Sequence, residues 1–159
     1  MVKTTSRKSA LINEYVTKNC ALCRLFCWLV AVRLHGTASW EYDPPDDTEM
    51  LRRMNTVLAG GYPYFVAQVD GALAGYSYAS SYRPRIGYRF TCEDSIYVHK
   101  DFRGQGIARA LLSQLIDECG KRGYRQMMAV IGDSANAASI TLHARLGFEQ
   151  VGLFRNIGY

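Results

Sequence analysis

Apolar positions along this chain repeat with two periods, and each period predicts a different kind of element. Behind the chain-breaking run Asp43-Pro44-Pro45-Asp46-Asp47, residues Met50, Leu51, Met54 and Leu58 recur at helical spacing. With the aspartates as caps, they predict a helix from about Asp46 to Leu58. Tyr64–Val69 and Ala72–Ala79 are β-leaning runs on either side of Asp70-Gly71, a strong hairpin turn. Ser80–Arg89, rich in Tyr and Arg, is a loop, and Phe90–Val98 is the next strand. From Gln105 to Arg122 the stripes Ile107, Leu111, Leu115, Cys119 and Ala108, Leu112, Ile116 predict a helix with one core face. Gly123-Tyr124 ends it; Gln126–Ile131 then predicts a strand, Ala135–Leu146 a helix and Phe148–Phe154 a final strand. Hairpin strands followed by β-α-β-α-β give an α+β domain with one mixed sheet. No internal repeat or low-complexity linker interrupts the order.

Length and composition narrow this picture. A chain of 159 residues at 48% hydrophobic suits one ordinary domain with a real core. The one shift in composition, near His35-Gly36, divides a basic and apolar N-terminal segment, 1–35, from a body, 36–159. Residues 1–36 hold six Lys/Arg against Glu14 alone, whereas residues 37–159 hold 13 basic and 13 acidic side chains. The net charge of +5 therefore belongs to the N-terminal segment, and the body lacks the basic excess of a nucleic-acid binder. Residues 1–34 read either as an added helix or as an organelle presequence, which would direct the chain to the mitochondrion. The apolar run Leu25–Val32, bracketed by Arg24 and Arg33, is about half the length that spans a bilayer, so no membrane partner is expected. Cys20, Cys23, Cys27, Cys92 and Cys119 are odd in number and follow no secretory signal, which favours reduced thiols and a cytoplasmic location. The Cys20, Cys23, Cys27 cluster lacks a four-ligand spacing and sits among Leu, Phe and Trp, so buried thiols are expected and no metal.

Candidate chemistry centres on Arg103-Gly104-Gln105-Gly106-Ile107-Ala108, placed between an apolar strand and an amphipathic helix. Glycines there let backbone N–H groups converge, and the helix dipole favours negative charge, so a diphosphate fits the turn. The run lacks the Gly-Lys-Ser/Thr ending of a nucleotide P-loop, and a tight strand-to-helix connection is the plain alternative. Upstream, Thr91-Cys92-Glu93-Asp94-Ser95-Ile96-Tyr97-Val98 carries acids just before its apolar end. Downstream, Asn136 to His143 and Gly147-Phe148 close the set.

Together these motifs resemble the GNAT superfamily of acetyl-CoA-dependent N-acetyltransferases. Arg103, Gly106 and Ala108 match one signature; Asn136 through Gly147-Phe148 match the other, with His143 where many members have tyrosine. Within the superfamily, Gly61-Tyr62-Pro63, Val66-Ala67, Gly75-Tyr76, Arg83-Pro84, Gly87-Tyr88-Arg89 and Glu93 to Val98 resemble the phosphinothricin and methionine sulfoximine acetyltransferases. The resemblance runs from about Gly36 to Tyr159. It implies a single GNAT-like domain, acetyl-CoA as cosubstrate, a small amino-acid-like amine as acceptor, and a homodimer whose two-fold interface completes the acceptor pocket.

The resemblance also distributes roles. Glu93 is implied as the general base for the acceptor amine; by itself the residue reads rather as a strand-end surface acid. The backbone of Ile96, Tyr97 and Val98 is implied to carry the pantetheine arm and polarise the thioester, while their side chains serve the core. Arg103, Gly104, Gln105, Gly106, Ile107, Ala108 and Arg109 are implied to cradle the diphosphate. Asn136 is implied to bond the pantetheine arm, with a helix N-cap as the other reading. His143 is implied to protonate the departing thiolate, with a helical histidine bonded to nearby backbone as the other reading. Arg83, Pro84 and Arg85 of the loop, with Glu93, Asp94 and Ser95, are implied to face the acceptor, where a guanidinium can hold a carboxylate.

Two departures stand beside these matches. Resembling members begin with a strand and helix that residues 1–35 do not match, and they continue past the counterpart of Gly158-Tyr159 into a further strand. A sheet lacking that strand would keep an unpaired edge. Other readings are an acetyltransferase for polyamines, aminoglycosides or protein N-termini, and a degenerate acetyl-CoA-binding module without turnover.

Overall fold

A computed structural model describes residues 10–14 and 45–155 of the chain. The cluster Cys20, Cys23, Cys27, the run Leu25–Val32, the remainder of segment 1–35, and Gly158-Tyr159 lie outside the described residues. The element order is β1 (Leu11–Glu14), α1 (Asp47–Ala59), β2 (Tyr64–Val69), β3 (Ala72–Ser81), β4 (Thr91–Val98), α2 (Ile107–Lys121), β5 (Gln126–Met128) and α3 (Ala137–Arg145). The strands form one sheet in the order β1-β2-β3-β4-β5, with β4 and β5 parallel and the other neighbours antiparallel. The expected α+β domain with one mixed sheet is what the chain forms.

Local signals explain most of the elements. Asp46 caps α1 by accepting the Glu49 N–H at 2.8 Å. Asp70 and Gly71 both take positive φ, 52° and 78°, which is the backbone a two-residue hairpin turn demands. Gly106 sits at φ 85° and hands the chain into α2, so the helix starts at Ile107, two residues later than the expected Gln105.

Two layers cover the sheet. On one face α2 buries Ile107, Leu111, Leu112, Leu115 and Cys119 against Phe65, Ala67, Val69, Ala79 and Cys92. On the other, Met50 and Met54 of α1 close over Tyr64, Val66, Leu73 and Tyr76. Leu51, expected on that stripe, is exposed, and Val57 packs there with Leu58 instead. Burial on these faces, worth roughly 25 cal/mol per Å² of apolar area, is what holds the layers together.

Between Ala67 and Gln68 the β2–β3 register shifts by one residue: Ala67 faces Gly75 and Gln68 faces Leu73. Ala74 is therefore the bulged residue, and its carbonyl accepts the His99 N–H at 2.9 Å just past the end of β4.

Three expectations are corrected. Leu11–Glu14 is a strand paired with β2, although it lies in the segment read from sequence as helix or presequence. Glu14 is held there by Arg122, whose guanidinium also donates to the Gly61 carbonyl at 2.9 Å and to Glu118 at 2.9 Å. The strand expected over Gln126–Ile131 stops at Met128. Phe148–Phe154 forms no strand, and Val151, Leu153 and Phe154 are exposed. Alternating apolar residues become a strand only when a neighbour accepts their backbone hydrogen bonds, and no described strand lies beside them.

Candidate active site

Strand β4 has two unlike flanks. Toward β3 it pairs from Cys92 to Val98 without a break. Toward β5 only Thr91, Cys92 and Glu93 are paired, with Gln126, Met127 and Met128. Past Glu93 the two parallel strands part, so Asp94–Val98 has no described strand on that side. The result is a fork between β4 and β5, with Glu93 at its apex.

Alternation along β4 sends neighbouring residues to opposite faces. Cys92 joins the α2 core. Glu93 faces the other way, half-buried opposite Ser80, and Ser95 and Tyr97 follow it opposite Tyr78 and Tyr76. Tyr97 stacks on Tyr76 with ring centroids 4.8 Å apart, in a row with Tyr64 and Tyr78. Burial, and then the negative charge of Asp94, push the Glu93 carboxyl above the usual range, which suits a base working near neutral pH.

Asp94 is buried on the α2 face, 7% exposed, and its Oδ2 lies 3.1 Å from His143 Nε2. His143, 5% exposed, has Nδ1 2.7 Å from the Ser139 carbonyl and its ring edge-on to Phe148. Asp94 Oδ1 is buried without a hydrogen-bond partner among the described residues. Asp94 is thus turned away from Glu93 and Ser95, with which sequence grouped it. Burial pulls the His143 ring down, but the hydrogen bonds to Asp94 and Ser139, helped by the Asp94 charge, outweigh it and the net shift is upward.

The glycine turn follows β4 through a single 3-10 turn at Lys100–Phe102. Gly104 and Gly106 have φ of 73° and 85°, and nothing lies within 4 Å of where a Cβ would stand on either. The first turn of α2 has no capping side chain and no acid, so its N–H groups remain open to an anion. Arg103 and Arg109 are exposed at this turn; Gln105 instead donates to the Asp101 carbonyl at 3.1 Å. Ile107 points into the core, which leaves only its backbone for a ligand. Asn136 caps α3 by accepting the Ser139 N–H at 3.1 Å, and its amide nitrogen is left to donate elsewhere. Arg83, Pro84 and Arg85 are exposed in the loop between β3 and β4, with Arg83 over the Tyr82 ring. Because Ser81 pairs with Cys92, that loop leaves the sheet at the Glu93 end of β4.

The sequence profile of the acetyltransferase (GNAT) family matches residues 28–148. The chain belongs to the acetyltransferase (GNAT) family. A phosphinothricin N-acetyltransferase of Alcaligenes faecalis is 53% identical over 124 residues, 78% of this chain and 63% of that protein. This chain therefore spans less than two thirds of that relative's length. An L-methionine sulfoximine/L-methionine sulfone acetyltransferase of Salmonella typhimurium is 38% identical, covering 79% of this chain and 72% of that one. A solved phosphinothricin acetyltransferase from Sinorhizobium meliloti, in complex with AcCoA, superposes with a TM-score of 0.85 at 42% identity, over 94% of this chain and 80% of that one.

Within this GNAT domain, sequence reasoning left out Ser139, whose carbonyl orients the histidine, and the Asp94–His143 pair. The two-residue alternation of a strand already separates Glu93 from Asp94. No local signal reveals a bond between residues 49 positions apart.

Proposed function

We propose that this chain transfers the acetyl group of acetyl-CoA to the α-amine of a small amino-acid-like acceptor of the phosphinothricin or methionine sulfoximine type. The observation that carries this reading is the fork: β4 loses its β5 partner immediately past a half-buried glutamate with a raised pKa. Positive-φ glycines with open space above them, before an uncapped α2, suit the diphosphate of acetyl-CoA. Family membership and the amino-acid substrates named for the relatives support the acceptor class.

When bound, acetyl-CoA supplies an acyl thioester. Beyond the β5 pairing, the side of Ile96–Val98 turned from β3 offers backbone N–H groups to an extended arm and to a thioester carbonyl, in the manner of an added strand. The turn from Arg103 to Arg109 holds the diphosphate with amides and guanidinium groups, and the Asn136 amide donates to the arm. Glu93 takes the proton from the acceptor ammonium, leaving a neutral nucleophile. A proton for the departing sulfur is the role the resemblance implies for His143, whose ring nitrogens face the Ser139 carbonyl and Asp94 in this structure. Arg83 and Arg85 meet the acceptor carboxylate in two parallel hydrogen bonds. The same reading carries a cytoplasmic homodimer, which sedimentation of the purified chain tests.

The test is coenzyme A release with phosphinothricin and with methionine sulfoximine. Glu93→Gln is expected to lower kcat by about 10²–10⁴-fold while acetyl-CoA affinity by calorimetry stays within about twofold. Full turnover in that variant would sink the general-base assignment. Stabilisation by acetyl-CoA with no product from either acceptor would favour a binding module instead.

A further inference from the structure

The mechanism above uses His143 but gives Asp94 nothing to do, although a buried carboxylate demands a reason. A carbonyl oxygen only accepts, so Nδ1 of His143 carries its hydrogen toward Ser139, 2.7 Å away. An ionised carboxylate also only accepts, so Nε2 carries a hydrogen toward Asp94, 3.1 Å away. A hydrogen on Nε2 lets both ring nitrogens donate to acceptors the fold supplies. In that state both ring nitrogens are protonated, and the pair is an imidazolium facing a carboxylate.

Position gives the pair its consequence. Asp94 is the first residue of β4 beyond the last β5 pairing, at the point where the fork opens. His143 lies two turns along α3 from Asn136, which caps that helix. Where strand pairing ends, this side-chain bond ties α3 to β4. The groups facing the ring are few. From β4 comes Asp94, with the Glu93 carboxyl and Cys92 thiol as its chain neighbours; from α3 come the Ser139 carbonyl and hydroxyl; from the segment after α3 comes the Phe148 ring edge.

We propose that Asp94 is a positioning residue that holds His143 as a doubly protonated ring at the mouth of the fork, and that this pair sets the upper pH limit of turnover. The proposal rests on the acetyltransferase reading for its link to activity. Loss of the ring proton at high pH leaves either Asp94 or the Ser139 carbonyl facing a lone pair inside the protein, and α3 loses its tie to β4. The upward shift of the His143 pKa agrees with this assignment.

The experiment pairs ring-nitrogen NMR of the folded chain with the pH profile of kcat, in wild type, Asp94→Asn and His143→Gln. The His143→Gln spectrum identifies the resonance. In wild type both ring nitrogens are expected to be protonated at pH 7, with the ring titrating above the ordinary histidine value. In Asp94→Asn the ring pKa and the alkaline limb of kcat should move down together by about one pH unit or more. His143→Gln should lose that limb altogether and run at a lower, flatter rate. A wild-type ring that titrates at or below the ordinary value would overturn the proposal, even if Asp94→Asn does not fold. So would an alkaline limb that stays put in a folded Asp94→Asn. The NMR titration needs no acceptor. A chain that makes no product but shows the imidazolium would therefore count against the function and not against the pair.

Discussion

The β3 flank and the β5 flank of β4 share one backbone and differ in almost everything else. On the β3 flank seven consecutive residues pair, Tyr76 stacks on Tyr97, and the Ser77 hydroxyl donates to the Leu111 carbonyl inside the core. On the β5 flank three residues pair and five do not. The first flank gives a fixed platform. The second gives a strand side that has no β5 partner past Glu93, positioned by its pairing on the first flank. A strand can serve both ends only if its faces are divided, and alternation divides them at Glu93 and Asp94.

The strongest way to break this comparison is to disturb the platform. A Cβ on Gly75 would stand 2.6 Å from the Tyr97 carbonyl oxygen and 3.3 Å from Val98 Cα, both backbone atoms that cannot swing aside. Gly75→Ala is therefore expected to cost about 2–3 kcal/mol of stability, read by urea or thermal unfolding, and to lower activity through the fold. An unchanged unfolding midpoint would show that β3 and β4 are less closely held than their register implies.

Gly106→Ala sharpens the other side. Nothing would touch the added methyl, so its stability cost comes from the positive φ alone, about 1–2 kcal/mol. The methyl enters the space left for a diphosphate, so acetyl-CoA affinity should fall as well. Gly120→Ala, also in open space but inside α2, should leave that affinity alone and raise stability by about 0.5–1 kcal/mol. Equal affinity in all three proteins would remove the diphosphate from this turn.

The smallest expected effect is a displacement of the acid limb of kcat/KM. Burial and the Asp94 charge raise the Glu93 pKa, so its proton persists above pH 4.5 and base catalysis appears only as pH rises through the higher value. The sign for stability runs the other way: what the neutral Glu93 carboxyl contributes is present below its unfolded pKa and is lost as pH rises through the folded one. Asp94→Asn removes one of the two causes and should shift the acid limb downward. A limb that stays put would leave burial as the whole cause.

Much of this was legible in the chain. The hairpin at Asp70-Gly71, the cap at Asp46, the buried stripe Ile107, Leu111, Leu115, Cys119, and the positive-φ turn at Gly104 and Gly106 all depend on neighbours within a few residues. Asn136 was read both as a ligand donor and as an N-cap; its oxygen caps α3, and the amide nitrogen is left over. Less was visible wherever a residue's role depends on a distant partner. Leu11–Glu14 is a strand because β2 offers it an edge and Arg122 holds Glu14. Phe148–Phe154 is expected from sequence as a strand and is not one, because no described strand lies beside it.

By itself, then, the amino-acid order determined the kinds of element, their turns and caps, the family, and the residue types available for acyl transfer. Those follow from backbone preference and side-chain period, which act over a few residues. Only the tertiary structure decided that β4 and β5 separate past Glu93, that Asp94 turns from Glu93 toward His143, and that both ring nitrogens of His143 meet oxygen partners. Each of these depends on which groups meet across the fold, where distance and burial set both hydrogen bonding and charge.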